Sequence, residues 1–321
     1  MYNVRKIEEN INMRGDFHGR FLYDESLALW TTFKVGGPAP LLVEPKDVPS
    51  FLMVLEELHR LSIPFLVLGG GSNLVVPDEG LEYPVVSTGS LNRIALECGG
   101  TRLVCGSGST WRQVIDFCIE HKLGGLENFS GLPGTVGGAV YMNARCYDRS
   151  VSDVLLAADY ARLGGDADGR PAVETYIMDS RQWDYKVSPF QGKLEGSPVL
   201  EVVLSVIPLD SAAADDMERR ASSFVADREQ KGHFSYPSAG SVFKNNRDFG
   251  KPSGRIVDEA GLRGLELGGA QVAPWHGNFI INRGNATAKD IRGLVELVQE
   301  EVCRKTGFLL EPEIIFLPKT R

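Results

Sequence analysis

Short apolar runs alternate with one helical stripe in the first third of the chain. Apolar residues recur at helical spacing over residues 51–61, which predicts a helix: Phe51, Val54, Leu55, Leu58 and Leu61. The largely apolar runs at 41–44 and 65–68 flank this stripe, and each predicts a buried strand. The second strand leads directly into Gly69-Gly-Gly71. We therefore expect a small α/β unit at the start of the chain.

The middle of the chain is rich in apolar runs that are too short for helices. Residues 103–105, 154–160 and 199–204 predict strands, and residues 111–121 predict one intervening helix. Glycine and aspartate are dense over residues 163–170, a composition typical of a surface turn. This region is therefore predicted to be mostly sheet.

The last third is predicted to contain two long helices. A charged helix is expected to begin near Ser211, and another is expected over residues 288–303. Thr287 can cap the second helix, because Asp290 follows three residues later. The apolar stripe of that helix is predicted to be buried: Ile291, Leu294, Val295, Val298 and Val302.

These patterns divide the chain into three predicted parts. Short strands are expected at 279–281 and 314–316, on either side of the last helix along the chain. We predict boundaries that give domains at 1–88, 89–208 and 209–321. No internal repeat accompanies this division, so a repeat architecture is not expected.

Composition narrows the classes of function. The 321 residues carry a net charge of −8, which disfavours non-specific nucleic-acid binding. No apolar run approaches the ~20 residues of a membrane span, and no signal peptide is evident at the start, so a cytoplasmic protein is expected. The five cysteines form no CxxC pair and the five histidines are scattered, so we expect reduced thiols and no metal site.

The first glycine cluster predicts an anion-binding loop. Gly69, Gly70 and Gly71 follow a buried strand and are followed by Ser72 and Asn73. Consecutive glycines allow backbone amides to point at an anion, and the two polar side chains add donors. A glycine-rich hairpin turn is the alternative reading of this cluster taken by itself.

A second cluster, at 130–139, leaves one side of the chain nearly bare of side chains. The residues expected to bind a flat ring and a pyrophosphate are Gly131, Pro133, Gly134, Thr135, Gly137 and Gly138. Two such loops suggest one long dinucleotide between them. Neither common nucleotide motif competes with this prediction, because GxxxxGK[ST] is absent and Trp111 breaks the pattern that begins at Gly106-Ser-Gly108.

Several separated motifs resemble those of the UDP-N-acetylenolpyruvoylglucosamine reductase family. The resemblance covers roughly residues 24–318 and keeps the motifs in order: Thr31-Thr-Phe-Lys-Val-Gly-Gly-Pro38, Gly69-Gly-Gly-Ser-Asn73, Ser130-Gly-Leu-Pro-Gly-Thr-Val-Gly-Gly138, Pro237-Ser-Ala-Gly-Ser-Val-Phe-Lys-Asn245, Ile256-Val-Asp-Glu-Ala-Gly261, Gly268-Gly-Ala-Gln-Val272, Gly284-Asn-Ala-Thr287 and Leu310-Glu-Pro-Glu313. The resemblance implies an α+β protein. Its parts would be a two-unit FAD-binding fold of the vanillyl-alcohol-oxidase/cresol-methylhydroxylase type and a C-terminal α+β substrate-binding domain.

The resemblance also implies a reaction. Non-covalent FAD would be reduced by NADPH and would then reduce the enolpyruvyl group of UDP-N-acetylenolpyruvoylglucosamine to give UDP-N-acetylmuramate, a peptidoglycan precursor. Ser241 matches the family's proton donor and Glu313 its active-site glutamate. Asn245 matches a substrate-binding asparagine, and Lys231 and His276 fall where polar side chains meet the substrate. A monomer is expected, with neither nucleic acid nor membrane as partner.

The chain departs from the family pattern at one catalytic position. The family usually has Tyr-Arg-x-Ser, whereas this chain has Tyr185-Lys-Val-Ser188. Lys186 keeps the positive charge but lacks the planar two-pronged donor of arginine. We expect Lys186 to act through one contact and Tyr185 to bind substrate. Arg145, in a loop that the family usually builds from small residues, could also supply a cation, and Ile315 stands where an arginine is common.

Two other functions remain open at this point. One is a carbohydrate oxidase of the same flavin superfamily; such oxidases often tether flavin through histidine or cysteine in the first glycine loop. The segment Gly69–Asn73 contains neither residue. The other is a non-catalytic sugar-nucleotide-binding relative, which Lys186 and Ile315 suggest.

Overall fold

The computed structural model describes residues 2–97, 99–166 and 169–318, and within them the chain forms seven α-helices. They are α1 (Val4–Asn12), α2 (Val48–Arg60), α3 (Trp111–Glu120), α4 (Val136–Tyr141), α5 (Ser211–Gln230), α6 (Ser253–Glu259) and α7 (Ala288–Thr306). Short 3₁₀ helices lie at Leu27–Trp30, Glu127–Phe129, Val151–Asp153, Ser180–Gln182, Pro189–Gln191 and Arg247–Phe249.

The same residues form eighteen strands, most of them short. They are β1 (Gly19–Ser26), β2 (Pro38–Pro45), β3 (Leu66–Leu68), β4 (Leu74–Val75), β5 (Val85–Ser87), β6 (Ile94–Leu96), β7 (Arg102–Gly106), β8 (Leu123–Gly124), β9 (Arg145–Cys146), β10 (Arg149–Ser150), β11 (Leu155–Arg162), β12 (Ala172–Ile177), β13 (Val199–Ser205), β14 (Ile207–Pro208), β15 (Glu266–Leu267), β16 (Ala270–Val272), β17 (Ile280–Asn282) and β18 (Ile315–Phe316). The mixture of helices and largely antiparallel sheets confirms the predicted α+β class.

The chain folds into two compact units, and each is made from separated segments. Unit 1 comprises the residues up to Tyr23, then Pro40–Gly70 and Glu82–Ala226. Unit 2 comprises Asp24–Ala39, Gly71–Leu81 and the residues from Asp227 onward. The boundaries predicted after residues 88 and 208 follow chain order, and they stay a prediction.

Within the described residues, unit 1 contains two larger sheets with separate cores, in addition to the two-stranded pairs β9–β10 and β8–β14. The smaller sheet has the order β1-β2-β5-β3, with β2 and β3 both parallel to β5. Helix α2 packs in the core of the smaller sheet. Its residues Phe51, Val54, Leu55 and Leu58 are fully buried there, together with Ile7 and Ile11 of α1. The larger sheet is antiparallel, in the order β12-β11-β13-β7-β6. Helix α3 packs in the core of that sheet through Trp111 and Val114.

Unit 2 is built around α7. The predicted cap is present: Thr287 Oγ1 accepts the Asp290 N–H at 3.0 Å, and the Asp290 carboxylate accepts the Thr287 N–H at 3.0 Å. The buried stripe is also as predicted and packs in a core shared with Phe33, Val35 and Val75. Strands β15-β16-β17 form one antiparallel sheet, and β18 pairs in parallel with β4.

The elements that the pattern missed include helix α1 and the strands β1 and β12. Helix α1 buries only Ile7 and Ile11, so its apolar stripe is two residues long. Strand β12 is an edge strand whose residues alternate between half-buried and exposed, and Glu174 and Thr175 interrupt its apolar residues, so it lacks the continuous apolar run of the predicted strands. Part of the predicted turn at 163–170, namely residues 167 and 168, lies outside the described residues.

Candidate active site

In unit 1 the two glycine clusters meet backbone to backbone. A Cβ atom on Gly70 would lie 2.6 Å from the Cα of Gly134, and one on Gly69 would lie 2.7 Å from Thr135 Oγ1. Both separations are shorter than real Cβ contacts allow, so side chains are excluded at these positions. The structure therefore brings together four of the predicted cofactor-binding residues: Gly70 contacts the main chain of Gly134, and Gly69 contacts the hydroxyl of Thr135.

The second cluster leads into helix α4. Thr135 caps this helix and accepts the Gly138 N–H through its Oγ1 at 3.4 Å. Gly137 packs on Ser107: its N–H donates to the Ser107 carbonyl at 2.9 Å, and a Cβ there would lie 2.6 Å from Ser107 Cβ. Gly138 and Pro133 are exposed, and Gly131 lies in the preceding turn. The outward side of this segment is thus main chain, one proline and a glycine.

The last part of the first cluster belongs to unit 2. Gly71 has φ +58°, and a Cβ on it would lie 2.0 Å from the Trp30 carbonyl oxygen, so only glycine fits there. Its own carbonyl accepts the Thr32 N–H at 3.2 Å. Within the described residues, the amide groups of Gly70, Gly71 and Ser72 donate to no acceptor. Consecutive amides without a protein acceptor are a requirement of an anion-binding loop, and binding of a dinucleotide pyrophosphate by these residues stays a prediction.

Asn73 differs from the glycines before it, because both its side chain and its carbonyl form hydrogen bonds within unit 2. Its Nδ2 donates to the Glu313 carbonyl at 3.0 Å, and its own carbonyl accepts the Ile315 N–H at 2.9 Å. These bonds tie the residue that immediately precedes β4 to the segment that carries the predicted active-site glutamate. Asn73 therefore has a structural role in unit 2.

Ser241 and Glu313 lie on neighbouring short segments of unit 2. Ser241 forms an isolated antiparallel bridge with Phe279, and Phe243 forms another with Pro312. The Glu313 N–H donates to the carbonyl of Val242 at 2.7 Å, so the main chains beside both predicted catalytic residues are hydrogen-bonded to each other. Both residues are half-buried. The nearby Glu311 instead pairs with Lys244 at 2.6 Å and is exposed.

The predicted substrate-binding residues of unit 2 occupy different settings. Asn245 is exposed, and its Oδ1 accepts the Ser253 N–H at 2.9 Å at the start of α6. Lys231 is also exposed and pairs with Asp227 at 2.7 Å. The Nδ1 of His276 accepts the Asn278 N–H at 3.1 Å, and its ring lies 4.6 Å from that of Phe279. Among these three residues, His276 lies nearest to Ser241 along the hydrogen-bonded main chain: it bonds Asn278, which precedes Phe279, the bridge partner of Ser241.

Two histidines share the apolar surroundings of Phe279. Burial lowers the pKa of His276 below its ordinary value, and Asp258 partly opposes this effect. Burial, then the charge of Arg228, lowers the pKa of His233 to about 4. The His233 ring stacks on Phe279 at 4.6 Å, and neither of its nitrogens has a partner within the described residues. Both rings are therefore neutral at pH 7.

Tyr185 and Lys186 form the tip of a tight turn in unit 1. Asp184 and Val187 close the turn as an isolated bridge, and Lys186 has φ +59°. The Lys186 Nζ lies 6.0 Å from the centre of the Tyr185 ring, and Tyr185 is 39% exposed. The turn thus presents an aromatic ring and a cation side by side.

Buried amide side chains that the pattern did not single out hold this turn. Asn143 is 3% exposed, and its Nδ2 donates to the Asp184 carbonyl at 2.8 Å. Gln191 donates to the carbonyls of Tyr141 at 2.6 Å and Lys186 at 3.3 Å. Arg145, the other candidate cation, donates to Ser150 Oγ at 3.2 Å. An asparagine inside an apolar stretch is unusual, and this signal could have identified Asn143.

Other chemistry finds little support in the described part of the chain. It holds no group of three or more potential metal ligands. Burial raises the pKa of the Cys118 thiol to about 12 and raises that of Cys105 further, so both thiols are unreactive. Cys98 lies outside the described residues. None of the described helices combines the length and apolarity needed to cross a lipid bilayer.

Two family models match the chain. The model for an FAD binding domain matches residues 39–166, which include both glycine clusters. The model for the C-terminal domain of UDP-N-acetylenolpyruvoylglucosamine reductase matches residues 232–317, which include Ser241 and Glu313.

Whole-chain comparisons agree with the family models. The chain is 45% identical over 293 residues to the UDP-N-acetylenolpyruvoylglucosamine reductase of Treponema denticola, covering 89% of this chain and 90% of the relative. It is 39% identical to the enzyme of that name from Treponema pallidum, covering 90% and 91% of the two chains. The crystal structure of the Thermus caldophilus reductase superposes with a TM-score of 0.73 at 33% identity, covering 94% of this chain and all of the other.

These similarities extend over nearly the full length of both proteins in each comparison. They confirm the predicted fold class, an FAD-binding fold followed by the C-terminal domain of this family. They do not favour the carbohydrate oxidase or the non-catalytic relative. The chain therefore belongs to the UDP-N-acetylenolpyruvoylglucosamine reductase family and is an FAD-dependent oxidoreductase.

Proposed function

We propose that this protein uses NADPH to reduce the enolpyruvyl group of UDP-N-acetylenolpyruvoylglucosamine, which yields UDP-N-acetylmuramate. The observation that carries the proposal is 45% identity to a reductase of that name over 89% of the chain. The placement of Glu313 beside the Ser241 segment supports it, because the reaction needs an acid and a group that organises it in one place.

The glycine clusters suit the cofactor. The chemistry that bound FAD would supply is hydride transfer from NADPH to the methylene carbon of the enolpyruvyl group. Gly69 and Gly70 have no room for a side chain where they meet Thr135 and Gly134. No side chain would therefore project from these two positions toward a bound flavin. The amides of Gly70, Gly71 and Ser72 would donate to the pyrophosphate.

Ser241 is the proposed proton donor. Hydride addition to the methylene carbon leaves negative charge delocalised into the neighbouring carboxylate as an enolate. The carbon beside the carboxylate then needs a proton. A serine hydroxyl is a weak acid, but an enolate carbon is basic enough to take its proton when the two are well positioned. Ser241 then recovers a proton from solvent.

Glu313 and Lys186 are proposed to manage charge around this step. The carboxylate of Glu313 would orient the hydrogen bonds at the enolate end of the substrate. The ammonium of Lys186 would stabilise the negative charge that builds on the substrate carboxylate. Tyr185, Asn245, Lys231 and His276 would bind the sugar nucleotide. These roles match family positions and stay predictions.

The setting of the reaction is part of the proposal. The product is a cell-wall precursor, so loss of this activity would affect cell shape and division. NADPH and sugar nucleotides are cytoplasmic metabolites, which supports a cytoplasmic site of action. The monomeric state expected from the sequence stays a prediction.

Replacing Ser241 with alanine tests the proposal. The Ser241→Ala protein should be reduced by NADPH at the wild-type rate, because that half of the reaction needs no proton from Ser241. Oxidation of the reduced enzyme by UDP-N-acetylenolpyruvoylglucosamine should slow by roughly 10²- to 10⁴-fold, the usual contribution of a positioned acid. Stopped-flow measurement of flavin absorbance separates the two halves.

Ser235→Ala is the matched control, because Ser235 is exposed and lies six residues earlier in the same segment. It should leave both half-reactions unchanged. Wild-type protein that binds FAD yet never consumes NADPH with this substrate would refute the proposed function. A Ser241→Ala enzyme that turns over as fast as wild type would refute only the role of Ser241.

A further inference from the structure

The segment that carries Ser241 has little regular secondary structure to hold it. Its strand-like pairing with neighbouring chain, as far as the described residues go, consists of two isolated bridges, Ser241 with Phe279 and Phe243 with Pro312. Gly240, with φ +73°, precedes the segment, and a Cβ on it would meet nothing within 4 Å. A proton donor must nevertheless be placed to within a fraction of an ångström, so something other than a sheet must fix it.

The side chain of Asn278 supplies the missing hydrogen bonds. Its Oδ1 accepts the Phe243 N–H at 2.8 Å, and its Nδ2 donates to the Phe243 carbonyl at 2.8 Å. The Asn278 carbonyl also accepts the Val242 N–H at 2.8 Å. The amide side chain thus pairs with Phe243 on both sides, as a neighbouring strand would.

This pairing is buried and specific to an amide. Asn278 is 4% exposed and Phe243 is 1% exposed, so these hydrogen bonds are shielded from bulk water, and loss of the amide would remove the protein partners of two buried main-chain groups. An aliphatic side chain of the same size would leave the N–H and the carbonyl of Phe243 without partners.

The same segment holds Glu313. The Glu313 N–H donates to the Val242 carbonyl at 2.7 Å, and the Asn73 side chain donates to the Glu313 carbonyl at 3.0 Å. Asn278 therefore fixes the strip of main chain that both predicted catalytic residues share. The Asn278 N–H in turn donates to His276 Nδ1 at 3.1 Å, which fixes the orientation of Asn278's own backbone.

We propose that Asn278 is a positioning residue for proton transfer, which holds the Ser241–Phe243 segment so that the Ser241 hydroxyl and Glu313 keep their working geometry. The inference rests on the proposed reductase activity. Asn278 acts through Ser241 and is not itself expected to touch the reacting atoms.

The test is a double-mutant cycle on the separate half-reactions. Asn278→Ala should leave reduction by NADPH unchanged and slow oxidation by UDP-N-acetylenolpyruvoylglucosamine by about 10- to 100-fold at saturating substrate, the effect of misplacing a reacting group. In the Ser241→Ala background the same substitution should slow that half-reaction by less than about 3-fold, because the positioned donor is already absent.

A purely structural role predicts a different result, with equal slowing in both backgrounds or equal slowing of both half-reactions. Either result would overturn the inference. Asn282→Ala is the matched control: Asn282 is 3% exposed and bonds the main chain at Phe33, Gly284 and Ala286. It should lower stability without changing the ratio of the two half-reaction rates.

If Asn278→Ala does not fold, Asn278→Asp replaces it in the same cycle. Aspartate has the same shape, keeps the acceptor for the Phe243 N–H and loses the donor to the Phe243 carbonyl. It should show the same selective slowing and the same loss of effect without Ser241. A wild-type enzyme inactive with this substrate would fail the proposed function instead, and is recognised before any variant is measured.

Discussion

At the scale of single residues, Lys186 is the main departure of this chain from its family pattern. It occupies the third position of a tight turn with φ +59°, where any residue other than glycine carries backbone strain. Lysine and arginine have the same unbranched stem near the backbone, so exchanging them leaves this strain unchanged. The exchange therefore compares the two head groups in one fixed backbone.

We expect Lys186→Met to lower kcat/KM for the sugar nucleotide by about 10- to 100-fold, the loss of one charge-assisted hydrogen bond. Lys186→Arg should equal or exceed wild type, because a guanidinium can contact a carboxylate through two donors. Steady-state kinetics with varied substrate measures both. Full activity in Lys186→Met would show that another cation, such as Arg145, serves the substrate carboxylate.

Residues whose role depends on distant partners were beyond sequence reasoning. The glycines at 69–71 could be singled out from the sequence, because three consecutive glycines after a predicted strand indicate a tight turn or an anion-binding loop; their role in cofactor binding stays a prediction. Asn278 could not, because its meaning comes from Phe243, 35 residues away. The hydrogen bond from Asn73 to the Glu313 carbonyl spans 240 residues, and no local sequence pattern predicts it.

At the scale of elements, strongly periodic segments were predictable and weakly apolar ones were not. The predicted helix at 288–303 corresponds to α7, Ala288–Thr306, with its cap and stripe as expected. Helix α2 and strands β2, β3, β7, β11 and β13 likewise lie where apolar runs predicted them. Edge strand β12 and helix α1 were not predicted, because an element with few buried residues shows little hydrophobic periodicity in its sequence.

The N-terminus of α7 offers a test of local stability. Thr287 Oγ1 accepts the Asp290 N–H, and the Asp78 carboxylate accepts the N–H groups of Ala288 at 2.7 Å and Lys289 at 3.1 Å. Thr287→Ala removes one of these acceptors and should lower the free energy of unfolding by about 1 kcal/mol. Thr287→Ser keeps the hydroxyl and should cost less than half as much.

Urea denaturation of the two variants measures this difference through the transition midpoint. The effect is expected to be modest, because Asp78 continues to satisfy two amides when Thr287 is lost. Equal midpoints for the alanine and serine variants would contradict a stabilising cap at Thr287.

At the scale of the whole molecule, the sequence domains and the structural units do not coincide. The family model of the C-terminal domain begins at residue 232, yet unit 2 also contains Asp24–Ala39 and Gly71–Leu81. These early segments supply Phe33, Val35 and Val75 to the buried core around α7. Segment Gly71–Leu81 also supplies β4, the parallel partner of β18. A continuous stretch of sequence is therefore only part of the folding unit.

This arrangement predicts that the C-terminal fragment is not stable alone. Burying each of Phe33, Val35 and Val75 contributes about 1.5–3 kcal/mol, a sum comparable to the ~5–15 kcal/mol that stabilises a typical domain. A fragment beginning at residue 227 also loses the Asp78 cap of α7 and every bond of β18 to β4. We expect it to show helix content well below that of unit 2 and no cooperative thermal transition by circular dichroism.

The control restores the missing segments. A single chain that joins residues 24–39 and 71–81 to the fragment through flexible glycine-serine linkers should recover a cooperative transition. The entropy cost of closing a loop grows only slowly with linker length, so the regained burial outweighs it. Replacing Phe33 with aspartate in that chain should abolish the transition again, since Phe33 is fully buried. A cooperative melt from the fragment alone would mean that α7 and its neighbours form a sufficient core. The C-terminal fragment would then fold independently, and residues 24–39 and 71–81 would not be required for its stability.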